Sequence, residues 1–387
     1  MSHINTILHQ LQQFIPGHQF EKLISEFKGD KYTKTFSCKN QLSVMLYAQA
    51  TGKDSLRDIQ TGLFVQQNQL YHLGIKSIAK STIAHANKMR NYRIYEQLFY
   101  KFLERCKDIT PRKKFKFKNP LYALDSTTID LCLEMFPWAK FRTAKGAIKI
   151  HPLLNLRTQI PEFIVISDGK KHDLNIAKNT SWPLSSDSIL VMDRAYIDWE
   201  WLSELGSEGV TFVTRAKKNM DYVVMGQHKT TASGQCLKDE EVLLRSMTSL
   251  GKHNGTLRRI EWLKEDTGEI IVFLTNNFDF SAKTIADIYK SRWNIELFFK
   301  WIKQNLKIKT FLGTSENAVK TQIWIAMIYY LLLCYIKYQT KYTYSLLEFT
   351  RVIAEAIFFR QHLIDLLSMN YKNFKKIRDP VPQLSLF

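Results

Sequence analysis

Tyr289, Arg292, Glu296, Lys300 and Lys303 recur at three-, four- and seven-residue spacings in IYKSRWNIELFFKWIKQNLK, Ile288 to Lys307. On an α-helix these spacings bring side chains to one face, nearly in line over successive turns. A carboxylate set between cations on an anchored helix can hold a metal ion or a phosphate. Two more carboxylates close apolar runs: Asp125 follows LYAL and Asp193 follows SILVM. Three convergent carboxylates repel one another unless cations compensate them. Hard oxygen ligands with open positions suit Mg²⁺ or Mn²⁺. Two such ions about 3.5–4 Å apart activate a water or a sugar hydroxyl and stabilise the departing oxygen of a phosphodiester. For a single helix the plainer reading is a solvated rim beside an apolar stripe, so the weight falls on the rest of the chain.

The helix itself is expected to run unbroken. Ser281 is a plausible N-cap, and no Pro or Gly interrupts the next two dozen residues. Ile285, Ile288, Ile295, Phe299, Ile302 and Leu306 form its core-facing stripe. Upstream, LYALDSTTIDL, GAIKIHPLLNL and EFIVISDG read as three strands in an antiparallel meander. A short helix near Leu174 to Asn179 follows, then SILVM as a buried, parallel-type strand. A helix around Asp198 to Leu205 and the strand GVTFVTRAK complete the order β-β-β-α-β-α-β. That is the order of a ribonuclease-H-like fold, and sites in α/β sheets form where strands end. Residues 217–280 carry four more strand-like runs, with Asp266-Thr267-Gly268 as a hairpin turn between the last two. The expected class is α/β: a ribonuclease-H-like catalytic core interrupted by an all-β insertion, with an N-terminal all-helical domain and a helical C-terminal region.

The formal net charge of +19 and the 55 Lys and Arg point to a polyanionic partner, nucleic acid before an acidic membrane. The excess is uneven: residues 1–118 hold 20 Lys and Arg against 8 Asp and Glu. Residues 1–110 read as helices. SIAKSTIAHANKMRNYR, with Ser81, Thr82, His85, Asn87, Lys88 and Arg90, resembles the recognition helix of a helix-turn-helix, which makes Lys88 and Arg90 candidate DNA contacts. PRKKFKFKNP, at 111–120, reads as a basic linker that tracks phosphates or as a solvated strand edge. Five scattered cysteines without a Cys-x-x-Cys pair argue against zinc and disulfide frameworks and fit a reducing cytoplasm. The apolar run Ile323 to Ile336 reads as a buried helix. The expected division is 1–110 helical DNA-binding domain, 111–119 linker, 120–216 first part of the core, 217–280 insertion, 281–310 core helix and 311–387 helical region.

Tyr289, Arg292, Glu296 and Lys303 match in type and spacing the Y-(2)-R-(3)-E-(6)-K signature of bacterial insertion-sequence transposases of the DDE class, in the group called the IS-four family. LDSTTIDL and MDRAYID resemble that family's two catalytic-aspartate regions. Lys149-Ile150-His151 and the segment from Asp168 to His172-Asp173 resemble the stretch between them. The β insertion and the helical N-terminus also resemble features of the group. The resemblance implies that Asp125, Asp193 and Glu296 hold two Mg²⁺ or Mn²⁺ ions. It implies that Arg292 and Lys303 contact the DNA backbone near the scissile bond and that Tyr289 touches a terminal phosphate, with Lys300 alongside. Trp262 in the insertion is a candidate for stacking on a flipped base in a hairpin reaction; its pattern equally fits a packed strand residue. Lys149 and His151 read as supporting or core residues. The implied partners are double-stranded DNA, at terminal inverted repeats and a target, and a second copy of the chain.

Two alternatives stand beside this expectation. A nuclease of the same fold would cut without joining. A repressor derived from a transposase would bind without cutting, which the intact carboxylates disfavour.

Overall fold

The computed structural model describes residues 4–75, 78–107, 115, 117–142, 145–228, 234–245, 252–253, 255–308 and 310–368. The chain divides into two compact units, one of residues 1–110 with 302–387, the other of residues 111–301. Most of the basic linker and the whole basic end YKNFKKIR lie outside the described residues.

The second unit is built on one eleven-stranded sheet. Its strands are β1 Leu121–Leu124, β2 Thr127–Leu131, β3 Lys140–Arg142, β4 Lys145–Asn155, β5 Ile160–Asp168, β6 Ile189–Met192, β7 Thr211–Arg215, β8 Tyr222–Gln227, β9 Cys236–Leu244, β10 Leu257–Leu263 and β11 Ile270–Thr275. The order is β2-β4-β1-β6-β7-β11-β10-β9-β8, with β3 and β5 also on β4. Strands β1, β6 and β7 are parallel; β4 runs antiparallel to β1, β2 and β5. All four residues of β1 and of β6 are buried, as expected of parallel strands covered on both faces. Helix Trp199–Ser207, capped by Asp198, packs Trp201, Leu202 and Leu205 into the same core as Met192 and Phe212.

The four strands after residue 217 are not a separate sheet but extend that of the core. Strand β11 pairs antiparallel with β7 at Phe273↔Arg215 and Thr275↔Val213, so the sheet continues outward through β10, β9 and β8. Alternation along each strand is legible locally, but the return of the last strand to β7 is a long-range choice.

The helix bearing Glu296 is also not continuous. It is two helices, Ala282–Ser291 and Trp293–Asn305, with Arg292 between them. No Gly or Pro causes the break. The Ser291 hydroxyl donates to the Ile288 carbonyl at 2.5 Å, and the Asn294 side-chain amide donates to the Ser291 carbonyl at 2.6 Å. Side chains thus take carbonyls that an unbroken helix would give to backbone N–H groups. Ser281 caps the first helix by accepting from the Thr284 N–H.

In the first unit, helix Glu316–Gln339 runs through the middle, buried along nearly its whole length. It is long and apolar enough to cross a membrane by length and composition, yet its side chains are covered by protein. Trp324 meets Phe99 at 5.5 Å, and Tyr335 meets Phe14 and Phe102 at 5.6 and 5.7 Å. The helices before residue 110 and those after 302 therefore share one core rather than forming two regions.

Candidate active site

Leu124 and Met192 are paired neighbours on parallel strands, so the next residues, Asp125 and Asp193, leave the sheet side by side. Strands β1 and β2 share one register on β4: Leu124 pairs with Leu153 and Thr127 with Ile150. Asp125 and Ser126 therefore face Pro152 and His151. Pro152 has no N–H for the ladder, and the strand pauses there. In that pause the Asp125 carboxylate accepts from the Ser126 N–H at 2.8 Å. The Asp193 carboxylate accepts from the Ala195 N–H at 3.1 Å, capping the turn Arg194–Tyr196.

Glu296 arrives on the first turn of Trp293–Asn305. The Gln159 side-chain amide, on the turn between β4 and β5, donates to Asn294 at 2.9 Å and ties that helix start to the sheet. Arg292 bridges two of the carboxylates: Nη1 lies 3.3 Å from Asp125 Oδ2 and Nη2 lies 2.5 Å from Glu296 Oε1. Its guanidinium also sits over the Tyr289 ring at 5.8 Å. Tyr289 is itself buried and packs on Phe273 at 5.2 Å.

Asp125 feels the charge of both other carboxylates. Burial pushes the Asp125 carboxyl up to about 6; Asp193 and Glu296 add to the rise, while the Ser126 N–H and Arg292 oppose it. Burial works against the Arg292 charge, but the Glu296 hydrogen bond and the fields of Tyr289, Glu296 and Asp125 hold its pKa above the ordinary value. The donor set is all oxygen and its excess negative charge already draws in a cation, which suits a hard divalent ion. Among the described residues no three His, Cys, Asp or Glu side chains stand near enough to hold a metal as placed. Arg292 fills the gap instead.

The other sequence-derived candidates are placed as follows. Lys300 is exposed on the Glu296 helix, and Lys303 follows it on the same helix. Trp262 is buried in β10, 8% exposed, paired with Cys236 and Ile271. Lys88 is exposed, but Arg90 is buried and donates to the Phe36 and Ser37 carbonyls and to Gln41. Its charge is thereby committed to the first unit's own backbone, not turned to a ligand. His151 is buried against Ser167 at 3.0 Å, and burial lowers its pKa to about 4, so it is a neutral core group. Lys149 pairs with Asp173 at 2.9 Å.

Two residues escaped the sequence reading. Tyr196 is buried three residues after Asp193; burial raises its pKa, with the fields of Asp125 and Asp173 adding to the rise. Trp293 is 58% exposed on the outer face of the Glu296 helix, with Leu297 one turn on. Its place opposite Ile295 and Phe299 was the signal available.

Residues 116–332 match the family described as Transposase DDE domain, and residues 3–76 match one described as a domain of unknown function. The chain is 30% identical over 359 residues to the probable transposase for insertion sequence element IS5377 of Geobacillus stearothermophilus, covering 90% of each chain. It is 32% identical over 246 residues to a protein of Sinorhizobium fredii named as transposase y4zB, covering 63% of this chain and 68% of that one. It is 27% identical over 256 residues to the transposase named for insertion sequence element IS4SA of Synechocystis, covering 65% and 70%. The chain belongs to the DDE transposase family. It is an enzyme acting on DNA, a DNA transposase of the insertion-sequence type.

Proposed function

We propose that the chain excises and reinserts its own insertion sequence by cutting at terminal inverted repeats and joining the freed ends to target DNA, and that it does so as a member of the IS-four group with a ribonuclease-H-like core. The observation that carries this is the placement of Asp125 and Asp193 after neighbouring ends of parallel strands, with Arg292 joining Asp125 to Glu296. The strand order β5-β4-β1-β6-β7, antiparallel then parallel, supports the core assignment.

In this reading Asp125, Asp193 and Glu296 would hold two Mg²⁺ or Mn²⁺ ions. When bound, the ions supply Lewis acidity to a phosphodiester displacement. The residues of the chain supply the rest. The pause opposite Pro152 and the cap at Asp193 hold two carboxylates in fixed directions. Arg292, Lys300 and Lys303 orient the phosphate backbone, and Tyr289 supports the Arg292 guanidinium from beneath. In cleavage a water oxygen bonds to phosphorus as the 3′ oxygen departs; in joining, that 3′ hydroxyl oxygen, giving up its proton, bonds to a target phosphorus as the target strand's own 3′ oxygen departs and takes up a proton. Two copies of the chain pair the two ends.

The test is a labelled duplex carrying the DNA that flanks the coding sequence, incubated with the full chain in Mg²⁺ or in EDTA. Metal-dependent cutting at a defined end with joined products is the expected result. Cutting without end preference or joining would replace this reading with a nuclease. Specific binding without cutting would replace it with a repressor.

A further inference from the structure

Arg292 joins two half-open carboxylates. It gives one nitrogen to each, and those carboxylates come from different elements, β1 and the Glu296 helix. Its Nε is buried and finds no hydrogen-bond partner among the described residues. A guanidinium built into a fold commonly presents a two-pronged fork to one carboxylate and uses its remaining donors. Arg292 does neither. It also sits at the junction of two helices, as the C-cap of the first.

We propose that Arg292 is a displaceable counter-ion, occupying the gap between Asp125 and Glu296 that a divalent cation would bridge until a DNA phosphate draws it away. This rests on the DNA-processing reading and adds an order of events to it. With the guanidinium in place, an incoming cation meets a like charge within the same few ångströms. With the guanidinium gone and no metal bound, three carboxylates face one another uncompensated. A phosphate offers Arg292 the planar, charged acceptor pair that Asp125 and Glu296 together do not. Metal and DNA therefore enter the site cooperatively, and by linkage each raises the affinity for the other by the same factor. Free enzyme away from DNA holds metal weakly, which keeps its chemistry off until an end is bound.

The experiment is calorimetric titration of Ca²⁺ into the full-length protein, alone and with the flanking-end duplex. For the wild type, DNA should tighten Ca²⁺ binding by a factor of about 5 to 150, the usual range of such couplings. Arg292→Ala should bind Ca²⁺ tightly without DNA and respond little to its addition. Arg292→Lys, a point charge without the fork, should fall between. Thermal melts establish that each variant is folded, and Arg292→Gln serves if Arg292→Ala is not. Arg292→Ala binding Ca²⁺ no more tightly than the wild type would overturn the proposal, as would unchanged coupling to DNA. Asp193→Asn and Glu296→Gln separate the two levels. If they leave Ca²⁺ binding intact, the carboxylate reading of the site fails. If they abolish it while Arg292→Ala gains nothing, only the counter-ion proposal fails.

Discussion

Two groupings of arginine with carboxylates in the sheet unit are built to opposite ends. In the outer strands, Arg258 presents Nε and Nη2 to the two oxygens of Asp239 at 2.7 and 2.6 Å and gives Nη1 to the Phe280 carbonyl at 2.5 Å. Both side chains are about 5% exposed. Arg259 beside it binds Glu240 and Glu261 at 2.8 and 2.6 Å and covers the Tyr222 ring at 5.0 Å. Asp239 meets a two-pronged fork, and Glu240 and Glu261 each take one Arg259 nitrogen in a largely buried network. At the strand ends, Arg292 faces carboxylates that are 23% and 35% exposed, touches each once, and leaves Nε unmatched. A satisfied network fixes a fold. An unsatisfied, half-open one keeps its charges available to something that arrives later.

Breaking each grouping should therefore cost different things. The largest effect is expected from Glu296→Gln or Asp193→Asn, which should cut strand cleavage on the order of 10³-fold or more, measured as product formed in Mg²⁺. Folding should be nearly unaffected, because neither residue carries the core. Arg258→Ala reverses the pattern: it leaves Asp239 buried and unpaired and should cost about 3–5 kcal/mol of stability in chemical denaturation.

Asp125 and Asp239 should then differ in sign. The fold raises the Asp125 pKa to about 6 from the ordinary 3.8, so it favours the protonated form. The stabilisation from that form is complete below about pH 4 and is lost as pH rises through about 6. Asp125→Asn should accordingly melt higher than the wild type at pH 7.5, by at most about 3 kcal/mol, with the gap closing near pH 4. Asp239→Asn should melt lower, because Arg258 loses a charged partner. Equal shifts in the two variants would erase the distinction drawn above. The smallest effect concerns the open surface beside Arg292. Trp293→Ala should weaken binding of DNA with unpaired end nucleotides by about 1 kcal/mol, read by fluorescence anisotropy, while Trp262→Ala should act through stability instead.

The parts of the site that a sequence can show are those set by local pattern. Asp125 and Asp193 are visible because each ends an apolar run, and Glu296 because its helix has a clear buried stripe. Asp198 and Ser281 announce their helices by capping chemistry. What stays hidden depends on partners far along the chain. The break at Arg292 arises from hydroxyl and amide side chains that bond backbone in competition with the helix, and their residue types alone do not say so. Arg90 reads as a free cation, yet carbonyls some fifty residues earlier enclose it. The return of β11 to β7 decides whether residues 217–280 are a lobe or an extension of the sheet, and alternation is the same in both cases.

The sharing of one core by residues 4–107 and 302–368 has a consequence for synthesis. As the chain leaves the ribosome, the early helices emerge some two hundred residues before the Trp324 and Tyr335 rings that complete their interior. The sheet unit, whose strands all lie between them, can settle first. The early segment therefore waits with Phe99 and Phe102 uncovered, and a message broken between codons 301 and 316 yields a protein whose sheet can form but whose helical half cannot close.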